Sequence, residues 1–169
     1  MSSQAHHHHD ARRVGCAVIT VSDTRTAEND GSGRRISELL QAASHHVVHC
    51  QILKDEPQAI RNALQELPAA AAVVIINGGT GVAKRDTTYE AVRELLDKEI
   101  GGFGELFRML SYEQIGAAAM LSRATAGVAG NRIVFALPGS TAAVELAMTK
   151  LILPQIGHIV GLIRPDGAA

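Results

Sequence analysis

The chain has 169 residues, a formal net charge of −1, only 3% aromatic residues and no tryptophan. That length suits one domain with a sizeable core, and neither the charge nor the aromatic content supports a nucleic-acid partner. No apolar stretch is long enough to span a bilayer and no signal peptide is evident, so the expectation is a cytoplasmic protein without a membrane partner.

Residues 1–13 read as a flexible tail. The run His6, His7, His8 and His9 could bind metal, but a tag or a mobile native extension is the expected explanation, and it is set aside from the fold. Residues 14–21 (VGCAVITV) form the first buried strand, ending at Ser22-Asp23-Thr24-Arg25. That polar cluster is either a simple turn, since Ser and Asp bond their own backbone, or a site at a strand's carboxyl end. The polar stretch to Gly33 reads as a loop. Ile36, Leu39, Leu40 and Ala43 then carry the stripe of a helix. Residues 47–53 are the second strand, leading to Asp55 and Pro57 at a helix start. Asp55 is either a helix cap or a rim carboxylate. Cys16 and Cys50 both lie in strand-like runs and are expected as buried, reduced thiols.

Residues 72–88 (AVVIINGGTGVAKRDTT) organise the chain. The β-branched run suits a strand buried on both faces, as in a parallel sheet. Gly78, Gly79 and Gly81 allow positive φ and let a ligand approach bare backbone. Lys84, Arg85 and Asp86 follow, and Thr87 or Thr88 can cap a helix bearing Val92, Leu95 and Leu96. This order places a polar site at a strand's carboxyl end, with cations suited to phosphate and a carboxylate suited to magnesium or to orienting them. The spacing matches neither the Walker A motif nor the dinucleotide fingerprint.

Phe103, Leu106, Phe107 and Leu110 give a further helical stripe, with Glu105 and Arg108 as an ordinary surface pair. Residues 111–121 continue as helix, and Ser122-Arg123-Ala124-Thr125 breaks the pattern. Residues 132–137 are the last main strand. Pro138-Gly139-Ser140-Thr141 then opens a helix, where Ser140 or Thr141 is a cap or part of an anion site. Pro154 interrupts that helix before a last apolar turn to Ile163. Strands alternating with helices imply an α/β fold, a three-layer α/β/α sandwich on a mostly parallel central sheet. One domain is expected over residues 14–165, with a short tail at 166–169.

Four stretches in order, Val21-Ser22-Asp23-Thr24, Gly78-Gly79-Thr80-Gly81 with Arg85-Asp86 and Thr88, Leu121-Ser122-Arg123, and Leu137-Pro138-Gly139-Ser140, resemble the MoaB/MogA family of molybdenum cofactor biosynthesis. The run GGFGELFRMLSYEQIG looks more like the MoaB branch. The resemblance implies a molybdopterin-binding domain that assembles as a trimer or hexamer and acts among other molybdenum cofactor biosynthesis proteins. In active members molybdopterin and Mg-ATP give adenylyl-molybdopterin and pyrophosphate; the alternative is a non-catalytic molybdopterin-binding or carrier protein. By position, the resemblance makes Asp55 and Asp86 the catalytic carboxylates and magnesium ligands. It makes Ser22, Asp23, Gly78, Gly79, Thr80, Gly81, Arg85, Ser122, Pro138, Gly139 and Ser140 the groups facing the pterin or its phosphate.

Overall fold

The computed structural model describes residues 12–164; the histidine run, the rest of the expected N-terminal tail before residue 12 and the whole expected C-terminal tail lie outside the described residues. Strands β1 (Gly15–Val21), β2 (His46–Leu53), β3 (Ala71–Asn77), β4 (Lys98–Glu99), β5 (Thr125–Ala129) and β6 (Arg132–Leu137) form one sheet in the order β2-β1-β3-β6-β5-β4. β2, β1, β3 and β6 run parallel, while β5 is antiparallel to β6 and β4 to β5. The helices are α1 (Gly31–Ala42), α2 (Pro57–Glu66), α3 (Thr88–Arg93), α4 (Gly101–Ile115), α5 (Thr141–Ala147) and α6 (Ile156–Ile163).

Alternation along the central strands splits the core in two. Val73, Ile75 and Phe135 face one layer with side chains of α1, α4, α5 and α6. Val74, Ile76 and Val134 face the other, with α2 and α3. Every residue of β3 is buried, which accounts for its unbroken apolar run. The expected three-layer sandwich is present. Among the described residues no single helix is long and apolar enough to cross a membrane.

Four local expectations are corrected. Cys50 is exposed, because β2 is an edge strand; Cys16 is fully buried, and burial pushes its thiol up to about 12, so it stays protonated. The helix after β1 begins at Gly31, five residues before its first apolar position, because the Asp30 side chain accepts from the Gly33 N–H (3.0 Å) and caps it. The helix through residues 111–121 ends as α-helix at Ile115. Gly116 takes φ 63°, and a 3-10 turn runs from Gly116 to Leu121. β4 and β5 had no expected counterpart, since a two-residue strand and the small-residue run TAGVA carry little alternating apolar signal. Pro154 does interrupt the last helix: a π-helical turn (Met148–Ile152) follows α5, and α6 leaves at 63°.

Asn77 ends β3 and is fully buried. Its Nδ2 donates to the Ile19 carbonyl (3.2 Å) and to Thr20 Oγ1 (2.9 Å), and its Oδ1 accepts from Ser32 Oγ (2.6 Å). Thr20 Oγ1 in turn donates to Asp30 Oδ2 (2.6 Å). One amide thus fixes the ends of β1 and β3 and the first turn of α1. Asn77→Ala leaves Ser32 without this acceptor inside the fold. It is expected to cost about 2–4 kcal/mol, read as a lower denaturant midpoint. An unchanged midpoint contradicts this role.

Candidate functional site

Because β1, β3 and β6 are parallel, their carboxyl ends open on the same edge of the sheet. The loops that follow meet there. The Gly78 N–H donates to the Leu137 carbonyl (2.9 Å), and a Cβ on Gly139 would lie 3.2 Å from Gly78 Cα. The loop at 78–81 and the loop at 138–140 therefore share one rim. Gly78 (φ 102°) and Gly79 (φ 66°) are held in the left-handed region. A Cβ on Gly78 would run into the Val21 carbonyl, and one on Gly79 would run into Thr88 Oγ1 and sit 2.6 Å from Asp55 Oδ2.

The expected carboxylates gather on this rim, though not as helix caps. α2 is capped by Glu56 without a side-chain bond, and α3 starts after Thr87 likewise without one. Asp55 instead reaches across to Thr87, its Oδ1 accepting from the backbone N–H (3.1 Å) and the hydroxyl (2.6 Å). Asp86 Oδ2 accepts from the Ala83 N–H (2.8 Å) and closes its own loop. Asp23 Oδ1 accepts from the Asp55 N–H (3.2 Å), while its Oδ2 pairs with Arg85. The three serines serve local turns. Ser22 Oγ accepts from the N–H groups of Thr24 (3.3 Å) and Arg25 (3.2 Å), and Ser122 Oγ from Ala124 (3.3 Å). Ser140 Oγ accepts from Ala143 (3.2 Å) and caps α5. Both the turn reading at Ser22 and the cap reading at Ser140 hold.

Three residues with larger parts than the sequence indicated are Arg25, Arg123 and Thr88. Arg25 joins the Asp30 carboxylate to the Gly139 carbonyl. Arg123 braces the glycine loop from outside: its Nε donates to the Gly81 carbonyl (2.8 Å) and its Nη2 to the Asp86 carbonyl (3.0 Å), and its own N–H donates to the Thr80 carbonyl (3.1 Å). It also bonds Glu90, which lowers the Glu90 carboxyl below its ordinary value, and it lies 5.0 Å from the Tyr89 ring centre. Arg25 stands next to a motif stretch and Arg123 ends one, but no spacing rule reveals that their partners are carbonyls far along the chain. The Thr88 hydroxyl is buried beneath Gly79 with no hydrogen-bond partner among the described residues. Arg108 donates to the Ser122 carbonyl (3.5 Å), and the expected pair with Glu105 does not form among the described residues. Outside the glycine loop lies a hollow of about 510 Å³ lined by Pro57, Val82, Lys84, Asp86, Glu90 and Arg123 among others.

A family described as a probable molybdopterin binding domain matches residues 17–158. Molybdenum cofactor biosynthesis protein B of Halalkalibacterium halodurans is 50% identical, covering 98% of this chain and 99% of that protein. The chain belongs to the MoaB/MogA family. A crystal structure of a molybdenum cofactor biosynthesis protein B superposes with a TM-score of 0.88 at 52% identity, over 90% of this chain and 97% of that one. The tungsten cofactor synthesizing protein MoaB of Pyrococcus furiosus superposes at 0.78 with 37% identity, over 90% and 98%. These neighbours put the chain on the MoaB side of the MoaB/MogA family.

Gly79 is the position where added bulk tests the rim most sharply. Gly79→Ala combines a left-handed backbone with a collision against Thr88 and Asp55. It is expected to lose more than about 2 kcal/mol of stability. A melting temperature equal to that of the parent chain contradicts the described loop.

Proposed function

We propose that this rim binds molybdopterin and transfers AMP to it from Mg-ATP in the cytoplasm, giving adenylyl-molybdopterin and pyrophosphate. The observation that carries the reading is the meeting of two backbone loops with unbonded N–H groups beside two carboxylates, each with an oxygen to spare. Among the described residues no protein group bonds Asp55 Oδ2 or Asp86 Oδ1, and no acceptor meets the N–H groups of Gly79, Thr80, Gly81 or Ser140.

The donor set fits magnesium. That ion takes one or two carboxylates and completes its shell with water and substrate phosphates, so a third protein ligand is not needed, and no cluster of three exists among the described residues. Asp55 and Asp86 would hold it, and it would neutralise charge on the nucleotide oxygens. In the reaction an oxygen of the molybdopterin phosphate attacks the α-phosphorus of ATP, the bond to the β-phosphate oxygen breaks, and pyrophosphate leaves. The free backbone N–H groups hold phosphate oxygens in register. Lys84, which is exposed, offers positive charge to the departing pyrophosphate, while Arg85 is paired with Asp23. No protein nucleophile is required, so positioning and electrostatics carry the catalysis.

A second reading, a binding or carrier protein, is favoured by one observation. Asp55 and Asp86 each brace a loop through their other oxygen, which a pure binder also needs. Exposed Leu106, Met109, Tyr112 and Ile115 on α4, with Met120 and Leu121 beyond it, support a symmetric trimer or hexamer under either reading.

Asp86→Asn separates the two. The amide oxygen can still accept from the Ala83 N–H, so the loop is kept while the charge is lost. Molybdopterin binding is expected to stay within a few-fold, and formation of adenylyl-molybdopterin, followed by mass spectrometry, to fall by about 100-fold or more. Parent protein that binds molybdopterin and yields no adenylyl product with ATP and magnesium establishes the carrier instead.

A further inference from the structure

We propose that Arg25 is a positioning residue for the anion bound at the rim: it orients the Gly139 peptide so that the Ser140 N–H is presented as a donor. The proposal rests on the reading of the rim as a molybdopterin site.

Arg25 leaves β1 in the polar cluster and turns back over the sheet edge. Its Nη2 donates to the Gly139 carbonyl at 2.6 Å. Its Nη1 reaches Asp30 Oδ1 (3.3 Å), Ser32 Oγ and Asn77 Oδ1 (3.5 Å). One guanidinium therefore spans the loop after β1, the end of β3, the start of α1 and the loop after β6. Its base is firm, because Asp30 also caps α1 and Asn77 is fully buried.

The consequence lies in the peptide plane. In a trans peptide the C=O and the following N–H point in opposite directions. No cis peptide occurs among the described residues, so a Gly139 carbonyl turned in towards Arg25 turns the Ser140 N–H outward. Ser140 is exposed, and that N–H has no acceptor among the described residues. Glycine is suited to position 139, since a side chain there would press on Gly78. Without the guanidinium nothing else among the described residues holds the Gly139 carbonyl, the plane can rotate, and the donor is no longer fixed.

Charge alone does not explain the arrangement. Arg25 is paired with Asp30, so little of its field remains for an anion. Its value is its fork: lysine keeps the charge but cannot reach Asp30 and Gly139 at once.

The test compares Arg25→Lys and Arg25→Ala with the parent chain. Molybdopterin alone, without ATP, is titrated at a temperature where circular dichroism shows each protein folded. Both variants are expected to bind about 10- to 100-fold more weakly, the loss of one charge-assisted hydrogen-bond arrangement. Guanidinium ion at millimolar concentration is expected to recover part of the binding in Arg25→Ala and none in the parent. Arg25→Lys binding as tightly as the parent overturns the positioning role and leaves the molybdopterin reading standing. Parent protein that fails to bind molybdopterin overturns both. Should neither variant fold, the parent decides by amide NMR: the Ser140 resonance is expected to shift on titration with molybdopterin, and an unmoved resonance overturns the proposal.

Discussion

Gly78 sits where three parallel strands end. Its N–H bonds the last carbonyl of β6, and its missing side chain leaves room for the last carbonyl of β1. Any Cβ there would force β1 and β3 apart at the rim, and the loop after β6 would lose its neighbour. Everything at the rim inherits this spacing. The carboxyl ends can approach closely only because the residue between them is glycine in a left-handed conformation. Asn77, one residue earlier, locks the same junction from inside with side-chain bonds to β1 and α1.

The electrostatics of the rim follow a division of labour. Its arginines are mostly occupied: Arg25 with Asp30 and the Gly139 carbonyl, Arg123 with Glu90 and two loop carbonyls, Arg85 with Asp23. The groups left open are backbone N–H donors and two carboxylate oxygens. On the proposed reading, recognition of an anion falls on fixed peptide dipoles, which need no reorganisation when charge arrives. For one of them, the Ser140 N–H, the proposed source of direction is Arg25 through the Gly139 carbonyl. A phosphate site of the proposed kind needs no basic patch, in keeping with a chain of net charge −1.

Much of this was legible from the sequence, for identifiable reasons. The run at 73–76 is apolar and β-branched because both of its faces are covered, so strand and sheet type could be read together. The glycines at 78 and 79 advertise positive φ, and the structure places both there. Asp55 and Asp86 were legible as rim residues but not in their contacts: local sequence offers a helix cap, while Asp55 bonds Thr87, 32 positions away. Arg25 was hidden for the same reason, since its decisive partner is a carbonyl 114 positions away. β4 and β5 were hidden because short strands of small or charged residues lack a period. Cys50 misled because an edge strand keeps strand composition without full burial.

The central claim is that the two loops at the rim form one anion site. A crystal structure of the chain with molybdopterin bound tests it most directly. The account predicts the terminal phosphate within hydrogen-bonding distance of backbone N–H groups from both the 78–81 loop and the 138–140 loop, with Asp55 and Asp86 flanking it. Molybdopterin seated elsewhere, for instance in the hollow of about 460 Å³ beside Ser37 and Cys50, with both loops bare, would contradict it.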